Sequence, residues 1–163
     1  MDNGDYYYDK EKFDAVWRRV TGAPEASDIP AAANEEAARL RSFMDDEAGD
    51  APLYERLAGL TSGCRQRTLL RLCCEAKSRL KKLRACYYIL TGETHLPPAQ
   101  CPVVYSLTDA LRHKYTALGT RSDAYLRASA VTTYTDLSEV YRTYAMETLR
   151  HRKTLAGLIE KLL

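Results

Sequence analysis

Apolar residues return every three or four positions along four long stretches of the chain, the spacing of one buried helical face. The first stretch covers residues 34–59 and aligns Leu40, Phe43, Glu47, Ala51, Tyr54 and Leu57. The second starts near Ser62 or Arg65, runs to about residue 90, and aligns Leu69, Leu72, Ala76, Leu80, Leu83 and Tyr87. It leads into LTGE, where Gly92 can take the left-handed conformation that closes a helix. A third helix is predicted from a Ser106 cap to about residue 130, where VTTY ends it, and a fourth from there to the C-terminus, capped by Thr135 or Asp136. A shorter helix over residues 10–20 stops at Thr21-Gly22, and the linker GAPEASDIPAAA follows it.

Four helices of about 25 residues, each roughly 38 Å long, suit an antiparallel bundle. The three prolines of THLPPAQCPVV cannot continue either neighbouring helix. The long crossover therefore falls between the second and third helices. The only β-branched clusters, PVVY and AVTTYT, are brief and sit at helix junctions. The pattern predicts an all-α fold: an acidic N-terminal segment over residues 1–33, with its short helix and linker, then a four-helix bundle over 34–163.

Composition narrows the function classes. A chain of 163 residues can bury a core as one domain, and 28% charged residues against 45% hydrophobic is ordinary for a globular protein in water. No stretch approaches eighteen uninterrupted apolar residues, so no membrane span is expected. The opening MDNGDYYYDKEKFDAV is acidic where a signal peptide would be basic and then apolar, which points to a cytoplasmic location. The five cysteines (Cys64, Cys73, Cys74, Cys86 and Cys101) form no C-x-x-C pair and read as reduced packing groups.

Charge is uneven within a near-neutral total of +2. The second helix carries Arg65, Arg67, Arg71, Lys77, Arg79, Lys81, Lys82 and Arg84 against Glu75 alone, whereas the first is acidic. A basic face is the footprint of phosphate binding. Complementary neighbouring helices explain the same pattern without a ligand, and the near-neutral total favours that reading, so no nucleic-acid partner is expected. The acidic tail with Tyr6, Tyr7 and Tyr8 is a further candidate to dock on this second helix.

Four segments carry a resemblance. FMDDEAGDAPLYERLA holds Glu47 seven residues before Tyr54; EAKSRLKKLRACYYILTGE, YTALGTRSDAYLRA and AMETLRHRKTLAGLIEKLL follow in order. Together they resemble the ferritin-like superfamily, and within it the rubrerythrin-type bacterial proteins. The resemblance implies a bundle holding two divalent metals, bound by one Glu from each of two helices and a Glu-x-x-His from each of the others. Carried over position by position, Glu47 is kept and Ala76 and Arg79 stand for the second helix's Glu and His. Leu118 stands for the third helix's Glu, Thr148 for the fourth's, and His151 is kept.

Arg79 has no lone pair for a metal and stays charged at any accessible pH. The expectation is therefore a metal-free polar plug: a bidentate Arg79–Glu47 pair, with Thr148 and His151 completing its hydrogen bonds. A rotation of one residue would instead turn Glu75 and Glu147 inward, permitting a mononuclear iron, manganese or zinc site from Glu47, Glu147 and His151. The spacing of Leu83 and Leu155 argues for the first register, with both glutamates towards solvent.

His95 and His113 lack ligand-spaced partners and are expected at the surface. Tyr87, Tyr88, Tyr141 and Tyr144 are expected in helix seams, and a redox role for Tyr54 or Tyr125 would need the missing metal. No phosphate-binding loop, nucleophile elbow or H-E-x-x-H occurs, so no catalytic residue is assigned. The sequence reads as a non-catalytic structural or interaction protein with no cofactor and an unidentified protein partner. Pairing as a homodimer comes from the family likeness. The alternative is a rubrerythrin-like iron or manganese protein, mononuclear or with a di-metal centre, handling peroxide or iron.

Overall fold

A computed structural model describes residues 31–98 and 102–162. The short helix expected over residues 10–20, the acidic tyrosine tail and Cys101 lie outside the described residues. Among the described residues five helical segments follow one another: α1 (Ala31–Ala48), α2 (Asp50–Gly59), α3 (Gly63–Thr91), α4 (Leu107–Val131) and α5 (Thr135–Glu160). No strand occurs among the described residues.

The helix expected over 34–59 starts earlier, at Ala31, and is interrupted at Gly49. Pro52 explains the interruption, because it has no N–H to give the Ala48 carbonyl. Gly49 itself stays in the right-handed helical region (φ −75°, ψ −16°). Its carbonyl accepts from the Leu53 N–H at 3.2 Å, so the helix resumes at once. Glu47 and Asp50 face the interior from either side of this break.

The predicted terminators of α3 and α4 are in place. Gly92 closes α3 at φ +70°, its N–H donating to the Tyr88 carbonyl at 2.7 Å. Ser106 caps α4, accepting from the Asp109 N–H. The start of α5 differs from expectation. Neither Thr135 nor Asp136 caps it; Tyr134 holds the cap position without a side-chain bond. Thr132 Oγ1 accepts from the Tyr134 N–H just before, and Asp136 lies in the first turn, where a carboxylate complements the helix dipole.

The segments pack as two antiparallel hairpins, α1/α2 against α3 and α4 against α5. Two apolar clusters, each drawing on all four rods, form the core. One contains Leu40, Phe43, Leu83, Tyr87, Tyr125 and Tyr141; the other Tyr54, Leu57, Leu69, Leu72, Leu111 and Leu155. Between them sit buried polar side chains, Glu47, Asp50, Arg79, Ser122, Thr148 and His151. Tyr88 does not line a seam: it is 57% exposed.

Candidate functional site

The polar layer is built around Arg79, whose residue is only 2% exposed. Its Nε donates to Glu47 Oε2 at 3.1 Å, and Nη2 lies 3.1 Å from the same oxygen without hydrogen-bond alignment. The pair is thus not the fork of two parallel bonds that the sequence suggested. Both nitrogens converge on one carboxylate oxygen, which frees Oε1 for other donors. Tyr125 donates its hydroxyl to Oε1 at 3.1 Å, and Arg121 Nη1 stands 3.4 Å from it.

One helical turn further, Asp50 receives a second set of cations. Lys114 Nζ donates to its Oδ1, and Arg121 Nη1 donates to Oδ2 at 2.7 Å. Arg79 Nη2 approaches the same carboxylate at 3.8 Å. Burial pushes the Asp50 carboxyl up, but Lys114 and Arg121 outweigh it and hold the group below its usual range. Burial lowers the Lys114 ammonium, and the Asp50 carboxylate opposes that shift. Arg121 is also fixed through Nη2, which donates to the Asp46 carbonyl at 2.6 Å.

The buried layer therefore holds two carboxylates, Glu47 and Asp50, against three cations, Arg79, Lys114 and Arg121. A balanced one-to-one pair was expected; the observed layer has one cation more. Two partly exposed carboxylates stand at its rim. Glu147 Oε2 is 4.0 Å from Arg79 Nη1, and Glu75 accepts from His151 Nε2 and, at 3.1 Å, from Arg150.

His151 joins rim to core. Burial, and then the Arg79 charge, depress its pKa from 6.5 to about 4, so the ring is neutral near pH 7. Its Nε2–H serves Glu75, and Nδ1 can accept from Arg79 Nη1 at 3.3 Å. A cleft of about 230 Å³ lined by Arg71, Glu75, Arg150 and Thr154 adjoins the buried imidazole. Thr148 does not take the part expected of it. Its Oγ1 is buried without a partner, as are the hydroxyls of Tyr54 and Tyr144.

Of the six positions that the resemblance singles out, Glu47, Arg79 and His151 form one contact chain, Ala76 and Leu118 are buried in the apolar cluster beside it, and Thr148 stands buried but unbonded. Glu75 and Glu147 are about one-third exposed at the rim. Glu75 is tied to His151, Arg150 and Arg71 rather than to Lys77 or Arg79. His113 is exposed as expected, whereas His95 is half-buried and bonds Asp45 at 2.7 Å. Sequence reasoning missed Asp50, Lys114 and Arg121, and also Glu36, which is buried and accepts from Tyr141. Lys114 and Arg121 occupy the spacing of Leu111, Leu118 and Tyr125, a charged residue on an apolar stripe, and that was the available signal.

The donor set does not fit a divalent metal. Any cation that reached Glu47 would meet Arg79 and Arg121 on the same carboxylate and Lys114 on the next. Each pair of unit charges 4 Å apart repels by about 4 kcal/mol at an effective dielectric near 20. Three such repulsions, doubled for a dication, exceed what two already-paired carboxylates return. Among the described residues, no group of three or more His, Cys, Asp or Glu side chains is placed to hold a metal ion. Against profiles of known protein families, curated proteins and solved structures, the chain finds no match.

Proposed function

We propose that this protein is a non-catalytic, ferritin-like helical bundle, a structural or interaction protein whose polar mid-layer stands where related bundles hold a pair of metals. One observation carries the reading: a guanidinium, Arg79, sealed at the centre of the bundle between Glu47 and His151. The order of helices, with the long connection between α3 and α4, supports the ferritin-like arrangement. Unpaired Cys64, Cys73, Cys74 and Cys86 suit a reducing compartment, and the proposal extends to a cytoplasmic location and to pairing as a homodimer.

The rival reading, a mononuclear iron, manganese or zinc site from Glu47, Glu147 and His151, is disfavoured by the same guanidinium, which approaches all three side chains. Elemental analysis separates the two. The protein would be purified without chelator, then incubated with ferrous iron or manganese and desalted. Metal well below one equivalent per chain is expected in every sample. One equivalent that disappears in His151→Ala would overturn the proposal in favour of the mononuclear site.

A further inference from the structure

The polar layer leaves one charged surface of the molecule without a role. Along the outward face of α3, Lys77, Lys81, Lys82 and Arg84 are all exposed. Lys77 reaches Glu55 at 3.9 Å, while Lys81, Lys82 and Arg84 make no ion pair among the described residues. Lys81, Ala85 and Tyr88 share one helical face, at i, i+4 and i+7. Beside them Ile89 is 83% exposed and Tyr88 more than half exposed. The surface thus combines three uncommitted cations with an open aromatic ring and an open aliphatic side chain. Its complement is an acidic segment that also carries aromatic rings.

The chain contains such a segment. MDNGDYYYD alternates Asp2, Asp5 and Asp9 with Tyr6, Tyr7 and Tyr8, and residues 1–30 hold seven acidic against four basic residues. We propose that residues 2–9 dock on the outward face of α3 near Lys81, Lys82, Arg84, Tyr88 and Ile89 of the same chain. Carboxylates would meet the cations, while the tyrosine rings cover Ile89 and offer their faces to Lys or Arg.

Reach does not prevent it. α1 begins at Ala31 and runs beside the C-terminal half of α3, with Arg41 over the Tyr87 ring at 6.0 Å. With the helix expected over 10–20, residues 10–30 can span about 50 Å, at about 1.5 Å per helical and 3.3 Å per extended residue, whereas the whole of α3 measures about 44 Å at 1.5 Å per residue. A tether of that length gives an effective concentration on the order of millimolar, enough for a set of individually weak contacts.

Zero-length carbodiimide cross-linking of the full chain tests this, using an equal mixture of isotopically light and heavy protein. The expected products join Asp2, Asp5 or Asp9 to Lys81 or Lys82 within one isotopic species, and fall severalfold at high salt. Tyr6→Ser/Tyr7→Ser/Tyr8→Ser leaves the charge unchanged. It should cut the cross-links severalfold and raise the salt needed to elute the protein from heparin, because the α3 cations are uncovered. Cross-links between light and heavy chains would overturn the proposal in favour of a second copy. Absence of these cross-links, or firm heparin retention unaltered by the tyrosine variant, would also overturn it; the latter would make the face an open polyanion site.

Discussion

His151 couples the stability of the fold to pH in the mildly acidic range. Its imidazole is neutral in the folded chain, with a pKa near 4 against 6.5 for the free group. Between those values the unfolded chain binds the proton and the folded chain does not, so stability falls as pH drops from 6.5 to 4 and gains no further loss from this group below that. The full span amounts to on the order of 3 kcal/mol at 1.36 kcal/mol per pKa unit. Urea midpoints measured across this window should fall towards acid in the natural sequence and stay nearly level in His151→Gln. Asp50 and Glu75, both held low, add their own losses only as their carboxyls protonate at lower pH. The residue scale is also where the sequence was read most unevenly. Glu47, Arg79 and His151 could be placed together because each falls on an apolar stripe and stands in a familiar spacing. Asp50, Lys114 and Arg121 obey the same periodicity, yet no motif pointed to them. Which carboxylate each cation would choose depends on side-chain reach across helices, which periodicity along one helix does not contain.

At the scale of elements, the helices were legible from period and punctuation, and the errors lie where punctuation was misread. Gly92 and Ser106 act as the sequence suggested, because a left-handed terminus and an N-cap hydroxyl are local devices. Pro52 lies within an apolar pattern that continues across it, so the periodicity predicts one helix where Gly49 separates two. At the α4–α5 turn, the bond expected from a Thr135 or Asp136 cap is not made; Tyr134 takes the cap position and Thr132 instead accepts from the Tyr134 N–H. The local devices can be weighed against each other by substitution. Gly92→Ala forces a side chain into φ +70° and should lower stability by about 1 kcal/mol. Gly157→Ala, inside α5 with nothing within 4 Å of the added methyl, should raise it by about 0.5–1 kcal/mol. Thermal or urea unfolding of the two variants would read both signs, and a loss in Gly157→Ala would mean that the α5 surface there is covered.

Over the whole molecule, the two hairpins share two apolar clusters and are joined between them by polar pairs. Asp50 meets Lys114 and Arg121, Glu47 meets Tyr125, Arg79 meets His151, and Glu36 meets Tyr141, each bond crossing from one hairpin to the other. The apolar clusters above and below would tolerate small slides of one hairpin along the other, since aliphatic packing has little directional demand. A layer of buried charges does not, because any slide leaves a carboxylate or guanidinium unpaired. Removing one partner should therefore cost far more than removing the set. Glu47→Ala, which leaves Arg79, Lys114 and Arg121 facing Asp50 alone, is expected to cost about 3–5 kcal/mol, the usual penalty for an uncompensated buried charge. Replacing Glu47 and Asp50 by Leu together with Arg79, Lys114 and Arg121 by Met should leave the midpoint of unfolding level or higher. What the apolar layer should lose is a single docking register. Its near-UV circular dichroism should weaken and its amide spectrum broaden while far-UV helicity persists. A five-fold variant as sharply ordered as the natural chain would show that the aromatic packing of Phe43, Tyr125 and Tyr141 sets the register by itself. A five-fold variant that unfolds outright would show that the charged layer contributes net stability as well as alignment.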